Sequence, residues 1–318
     1  MAGGIGRRVL LLGGSGQVGQ ALRHLVWPEG WTLDAPPRSG LDLSRPGPLE
    51  AALDRCTADL VINCAGFTAV DLAEEASEEA FAVNQQAVAA LARVAARHGW
   101  PVVHLSTDYV FDGRAGRAYR AEDPVAPLNV YGASKAAGEA ALRMTCPDHW
   151  IVRTAWVTGR GGGNFLHAIL KASLGRPVLR IVDDQWGSPS PASLLADRLR
   201  SLAIRLLGAG ERPAPGTFHL AGDEPATWHG LARSAFEVLA RHRPDWPQPE
   251  LVPIAMADWP TRAPRPRDTR LDSWPTLGAL GVAPLPWRAM LAGEVLEIAH
   301  SLRPAAGAAV TGQEERAS

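Results

Sequence analysis

Tyr131 and Lys135 stand four residues apart in Tyr131-Gly132-Ala133-Ser134-Lys135, and Ser106-Thr107-Asp108 closes an apolar run upstream of them. On a helix this spacing shares a face, so a phenol and an ammonium would project side by side into one site. A phenol titrates at about 10 and exchanges protons poorly at neutral pH. An ammonium beside it favours the phenolate and lowers that pKa, which suits the phenol to general acid–base work. The Thr107 hydroxyl can bind the same substrate oxygen. Any solvated helix can bring a Tyr and a Lys together by chance. The pair therefore needs a co-reactant and a scaffold before it means anything.

A co-reactant site follows the first apolar run. Val9-Leu10-Leu11-Leu12 leads into Gly13-Gly14-Ser15-Gly16-Gln17-Val18-Gly19, which satisfies both Gly14-x-Gly16-x-x-Gly19 and Gly13-x-x-Gly16-x-x-Gly19. Glycines serve such a loop by allowing a tight turn, close approach of backbone to a pyrophosphate, and tight helix–strand packing. The helix that follows offers its first N–H groups to the phosphates. Without a ligand the same residues would be a tight turn, and the strand before and helix after favour the dinucleotide. Cofactor choice belongs at the end of the second strand, near Trp31-Thr32-Leu33-Asp34. Asp34 would bind ribose hydroxyls and favour NADH, and Arg38 would pair with a 2′-phosphate and favour NADPH. Both also suit an exposed loop; the balance falls to NADPH, with NADH possible. Asp42-Leu43 ends the same loop and can line the adenine pocket.

The scaffold is legible as alternation. Val9–Leu12, Leu60–Cys64, Val102–Ser106 and Trp150–Arg153 read as buried strands, with helices over 19–27, 78–98 and 134–144 between them. Strands alternating with helices predict βαβ units, an α/β fold with a doubly wound parallel sheet (Rossmann). Chemistry in such sheets gathers at the C-terminal strand ends, where Asn63, Ser106-Thr107-Asp108 and Thr154 stand. After Val157 the pattern loosens, with a strand over 217–220, a helix over 228–241, and a proline-rich stretch, 244–266, expected to wrap a second, smaller α/β substrate domain. The expected division is residues 1–157 plus about 185–222 for the dinucleotide, 158–184 and 223–302 for the substrate, and 303–318 as a disordered tail.

Composition narrows the partners. In 318 residues the net charge is −1, which gives no electrostatic footprint for nucleic acid or an anionic membrane. Three cysteines, Cys56, Cys64 and Cys146, lack metal-ligand spacing and predict a reduced, cytoplasmic compartment. No run approaches the roughly 18 apolar residues of a membrane span.

Joined together, these pieces resemble the extended short-chain dehydrogenases and, among them, the dTDP-4-dehydrorhamnose reductase family, over about residues 8 to 300. The resemblance is carried by Gly16-Gln17-Val18-Gly19, Val61–Asp71, Ala82-Val83-Asn84, Ser106–Gly113 and Pro127–Gly132 with Lys135 and Glu139. It continues through Arg153–Val157, Asn164-Phe165, Asp184–Pro189, Thr227-Trp228-His229 and Arg265-Pro266. It implies hydride transfer to the C4 carbonyl of a dTDP-6-deoxy-hexulose. Tyr131 would protonate the developing alkoxide, Lys135 would hold the nicotinamide ribose and lower the Tyr131 pKa, and Thr107 would hydrogen-bond the carbonyl oxygen. Gly66, Phe67 and Thr68 would lie along the cofactor. Asp108 and Tyr109 would line the sugar site, Trp156 would wall it, and Arg265 would suit the diphosphate. Trp156 is also readable as a core aromatic and Arg265 as a surface pair. Asp112 reads as a turn residue beside Gly113, and His104 and His229 as structural.

Some members of the family hold magnesium through acidic residues at a dimer interface. The matching positions here are Ala21 and Ser193, which supply no carboxylate, so no magnesium is expected and a monomer or a homodimer both stay open. A 4,6-dehydratase or epimerase is the rival enzyme, but Tyr109 follows Asp108 where dehydratases place a second acid. A non-catalytic regulatory subunit that binds dinucleotide is the rival of another class, and the intact Thr107, Tyr131 and Lys135 weigh against it.

Overall fold

The computed structural model describes residues 6–160 and 163–302; the tail expected over 303–318 lies outside the described residues. In chain order the first half comprises β1 (Arg8–Leu12), α1 (Gln17–His24), β2 (Thr32–Asp34), α2 (Pro46–Asp54), β3 (Leu60–Asn63), α3 (Val70–Ala73), α4 (Ser77–Phe81), α5 (Ala87–His98), β4 (Val102–Thr107), α6 (Val130–Thr145) and β5 (His149–Thr154). The second half adds β6 (Val157–Thr158), α7 (Phe165–Ser173), β7 (Val178–Val182), β8 (Trp186–Gly187), β9 (Ser190–Pro191), α8 (Ala192–Leu207), β10 (Gly216–His219), β11 (Ala226–Thr227), α9 (Trp228–His242), β12 (Glu250–Ile254), α10 (Trp274–Leu280) and α11 (Trp287–Leu302).

Six strands form one parallel sheet in the order β10-β5-β4-β3-β1-β2. Side chains alternate across each strand. Val9, Leu11, Leu60, Ile62, Val103 and Leu105 pack with α1 and α8 on one face. Leu10, Leu12, Val61, Val102 and Ile151 pack with α2 and α5 on the other. Burial on both faces is why these strands read as unbroken apolar runs. The chain leaves β1 for β2 on one side and for β3 on the other, so a crevice opens beyond the C-terminal ends of β1 and β3. The doubly wound parallel sheet expected from the alternation is present.

A third apolar cluster gathers Leu166, Leu170, Phe236, Leu239, Trp246, Leu291 and Val295 from α7, α9, α11 and the segment after α9. The proline-rich stretch expected as surface wrap contains a strand, β12, that pairs in parallel with β7 from Glu250↔Val178 to Ile254↔Val182. Pro253 hid it, yet a two-stranded sheet has only edge strands, where proline is tolerated.

Three helix boundaries also shift. α1 ends at His24 rather than Trp27, a π-helical turn at Ala82–Gln86 interrupts the helix expected over 78–98, and α6 begins at Val130, ahead of Ser134. α8 is a further helix, beyond those expected from the sequence, with Leu195, Ala196, Leu199, Leu202, Ala203 and Leu206 at helical spacing on its buried face.

Candidate active site

α6 begins where it does because Asn129 caps it. The Asn129 Oδ1 accepts the Gly132 N–H at 2.8 Å, and its Nδ2 donates to the Pro264 carbonyl at 2.9 Å. The Glu74 carboxylate accepts the Val130 N–H at 2.9 Å. The first turn, which carries Tyr131, is thus anchored from three parts of the chain. Replacing Asn129 with alanine removes the cap and the tie to Pro264, and thermal or urea unfolding is expected to show a loss of about 1–2 kcal/mol.

Thr107 ends β4 beside this turn. Its Oγ1 donates to Asp108 Oδ1 at 3.0 Å and accepts the Tyr109 N–H at 3.2 Å. The other Asp108 oxygen accepts the Thr269 hydroxyl at 2.5 Å. Burial pushes the Asp108 carboxyl up to about 6 against the pull of the Thr269 and Thr107 hydroxyls. Lys135 is buried one turn behind Tyr131, and its Nζ donates to the Leu105 carbonyl at 2.6 Å. Burial lowers the Lys135 pKa to about 8, with the Glu139 carboxylate working against that.

The Tyr131 phenol is pushed up to about 12 by burial, with the Thr107 hydroxyl pulling the other way. The spacing of Tyr131 and Lys135 had suggested a lowered phenol. The physical reason for the opposite outcome is that loss of water around the phenol outweighs its stabilising partners, while the ammonium hydrogen-bonds a strand carbonyl. A phenol that stays protonated at neutral pH is a proton donor.

The loop after β3 meets the same site. A Cβ on Gly66 would lie 3.8 Å from Lys135 Nζ and 3.2 Å from Asn84 Oδ1. Asn84, in the π-helical turn, accepts the Phe67 N–H at 2.9 Å and donates to the Phe67 carbonyl at 3.0 Å and to Ser134 Oγ at 2.9 Å. One buried amide therefore ties Gly66-Phe67 to α6, while Thr68 is exposed beyond it.

Gly13 has φ +80°, and a Cβ on Gly19 would sit 2.1 Å from the Gly13 carbonyl oxygen. The first glycine makes the turn and the third lets α1 close on it. Gly16 is the N-cap and no side chain caps the helix, which leaves its first N–H groups directed into the crevice beside β3. Gln17 Oε1 accepts from Asn164 Nδ2 at 2.9 Å, and the Val18 side chain is packed in the core, so its backbone is what faces a ligand. These features fit a dinucleotide pyrophosphate. At the end of β2, Arg38 donates to Asp42 at 3.3 Å and to Ser44 Oγ at 3.3 Å, so Asp42 holds the guanidinium in the loop. Ser44 holds the Asp42 carboxyl below its ordinary value, and Leu43 packs partly against the sheet cluster.

Across the cleft, the Tyr109 and Tyr131 rings meet edge to face at 5.9 Å. The Arg265 guanidinium lies 5.8 Å from the centre of the Tyr109 ring and pairs with Asp71 at 2.7 Å. Trp156 stacks on Trp228 at 3.4 Å, with φ +42°, the one positive φ among described non-glycine residues. A bulky residue in that region is strained, and such strain concentrates at functional sites. Trp228 Nε1 donates to Gln185 Oε1 at 3.0 Å, and Gln185 Nε2 donates to the Pro266 carbonyl at 3.1 Å. Asp112 is the turn residue expected: it accepts the Arg114 N–H at 3.0 Å and the Tyr119 hydroxyl at 2.6 Å. His104 is fully buried in mid-strand against Asn63, and His229 lies 3.6 Å from Asp183; neither joins the cluster around Thr107 and Tyr131.

Asn84, Gln185 and Thr269 join the site without having been expected there. The first two sit inside quoted motifs, where position in a motif was their only signal. Thr269 carries no local signal, because it reaches Asp108 from 161 residues away.

A family model described as the RmlD substrate binding domain matches residues 7–299. A dTDP-4-dehydrorhamnose reductase of Sinorhizobium fredii is 37% identical over 268 residues, 83% of this chain and 88% of the relative. The chain belongs to the dTDP-4-dehydrorhamnose reductase family. A Streptomyces griseus reductase of the same name is 38% identical over 292 residues, covering 89% of this chain and 91% of the relative. Among solved structures, the dTDP-4-dehydrorhamnose reductase of Bacillus anthracis in complex with NADP superposes with a TM-score of 0.83 at 26% identity, covering 92% of this chain and 100% of that one. Where some members of the dTDP-4-dehydrorhamnose reductase family place acids, α1 and α8 carry Ala21 and Ser193. Those residues do not fit a magnesium site, because neither has a carboxylate.

Proposed function

We propose that this chain reduces the C4 carbonyl of dTDP-4-dehydro-6-deoxy-L-mannose to give dTDP-L-rhamnose, a sugar donor for cell-surface polysaccharide, with NADPH preferred and NADH possible. The observation that carries the reading is Tyr131 beside the Thr107 hydroxyl, with Lys135 one helical turn behind it and close to Gly66, at the crevice of a Rossmann sheet. NADPH, when bound, supplies the hydride. Gly13, Gly16, Gln17, Val18 and Gly19 would hold its pyrophosphate, Arg38 its 2′-phosphate, Asp42 and Leu43 its adenine side, and Gly66, Phe67 and Thr68 its nicotinamide half. The Bacillus anthracis reductase, solved in complex with NADP, supports this cofactor.

Thr107 would donate to the carbonyl oxygen and Tyr131 would deliver the proton to the alkoxide. A phenol with pKa about 12 keeps that proton until charge develops on the substrate oxygen. Lys135 would hold the nicotinamide ribose hydroxyls. Asp108 and Tyr109 would line the sugar, Trp156 would wall it through its stack on Trp228, and Arg265 would meet the diphosphate. The reading keeps the division into a dinucleotide half (1–157 with about 185–222) and a substrate half (about 158–184 and 223–302). One refinement is that Leu280, Val282 and Leu285 pack with the sheet cluster rather than with α7, α9 and α11. A cytoplasmic monomer or homodimer is part of the same reading, and sedimentation of the purified protein separates the two states.

The deciding assay is oxidation of NADPH with the dTDP-hexulose; normal dinucleotide binding without turnover would leave a binding module as the better reading. Arg38 gives a second check on cofactor choice. Arg38→Ala is expected to raise KM for NADPH about tenfold and to leave KM for NADH unchanged, because one charged hydrogen-bonding contact is worth roughly 1.5 kcal/mol.

A further inference from the structure

The face of α6 that carries Lys135 continues into a buried strip of charge for which the reaction above has no use. Glu139 lies one helical turn beyond Lys135, with no exposed surface. It accepts two hydrogen bonds from the Arg153 guanidinium, at 2.9 and 2.7 Å, and one from Arg143 at 3.1 Å. Arg153 stands on β5 opposite Ser106 of β4, one residue from Leu105, whose carbonyl receives the Lys135 ammonium. Two buried ions of opposite sign therefore sit on adjacent turns over adjacent strands. Burying an ion pair is rarely a net gain in stability over apolar packing of the same volume.

The sequence adds an independent observation. Of 32 basic Lys and Arg residues, only Lys135 and Lys171 are lysine. Lys171 is exposed on α7, whereas Lys135 is buried. A chain that uses arginine for nearly every cation keeps, at its one buried position beside the phenol, the cation that can lose its proton. Something must then hold that proton on.

We propose that Glu139 is a positioning residue that keeps Lys135 an ammonium at the active site, and that Arg153 and Arg143 set how much of the Glu139 charge reaches it. The proposal rests on the reading of Lys135 as the group that holds the cofactor ribose. The other titratable or charged groups that interact with Lys135 are Cys64 after β3 and His104 on β4, with Tyr131 one turn away on α6 and His219 of β10 behind Arg153 at 3.5 Å. Among them the Glu139 carboxylate is the strongest influence holding the proton, against burial, which pulls Lys135 down to about 8. The sign follows: the ammonium is present below about 8 and lost above it, so activity should fall on the alkaline side.

The test is a 13C titration of the two lysine Cε signals in the full-length protein without ligand, assigned by Lys135→Met, together with the pH profile of kcat/KM for NADPH-dependent reduction. Glu139→Gln is expected to lower the Lys135 midpoint by about one pH unit or more and to move the alkaline limb with it. Arg143→Ala, which removes a partly exposed cation, is expected to raise both by about half a unit. A purely structural role would loosen the packing in either variant, admit water, and move the midpoint up in both. Midpoints that stay put, or that rise in Glu139→Gln, overturn the proposal. Should Glu139→Gln fail to fold, the double variant Glu139→Met with Arg153→Met, which leaves no unpaired buried ion, takes its place: the midpoint is expected to fall, and an unmoved or raised one is the overturning result. Absence of turnover by the wild type would overturn the reductase reading, whereas the carbon titration judges Glu139 without turnover.

Discussion

Tyr131→Phe is expected to lower kcat about a thousandfold while dinucleotide affinity stays within about twofold of wild type, since a positioned general acid contributes roughly 10²–10⁴-fold. The substitution removes one oxygen from a ring that already packs edge to face against Tyr109, so the cavity keeps its shape. Thr107 keeps its place at the end of β4, and its hydroxyl, which donates to Asp108 without substrate, can rotate its single proton onto the carbonyl oxygen. What is lost is the proton, and the alkoxide must then take one from water. Stopped-flow hydride transfer at saturating substrate separates this from slow release. A loss under about tenfold would show that another group supplies the proton. Asp108 would be the candidate, with its carboxyl raised to about 6.

A second large effect is expected at a residue with no chemistry of its own. A Cβ on Gly132 would fall 2.1 Å from the Tyr109 carbonyl oxygen, which is backbone and cannot swing aside. Gly132→Ala must therefore push the first turn of α6 away from the turn that follows Thr107. The Asn129 cap reads the Gly132 N–H and would strain with it. Overpacking of this kind costs about 1–3 kcal/mol of stability. A displacement of about 1 Å between Tyr131 and Thr107 costs roughly a hundredfold in rate. Circular dichroism melts and kcat measured on the same preparation check both halves. A variant with wild-type kcat would mean that α6 is not positioned by this contact.

These two residues show how far the sequence could be read. Tyr131 was legible from its spacing to Lys135, from the glycines after β1 and from Thr107 at the end of β4, because each is a local pattern. Gly132 was visible only as a letter inside a motif. Its reason lies in the Tyr109 carbonyl, which the chain brings against it from another element. The direction of the Tyr131 pKa was misread for the same cause. Spacing along a helix reports which groups are neighbours, whereas burial, the larger influence here, depends on what covers them. β12 was lost because Pro253 argues against a strand, and only its pairing with β7 at an edge makes the proline harmless. α8, by contrast, carries its helical periodicity in the sequence itself, with Leu195, Leu199, Leu202 and Leu206 on its buried face.

The sequence by itself determined the parallel sheet, the dinucleotide loop and the acid–base pair, since apolar runs, glycine spacing and helical spacing are short-range properties. Tertiary structure alone decided which distant groups complete the site: Thr269 on Asp108, Asn84 across Phe67 and Ser134, and Trp228 under Trp156. It also decided the protonation of the pair itself. A pKa is set by solvent exclusion and by the charges that folding brings within reach, and neither quantity exists until the chain has closed around Tyr131 and Lys135.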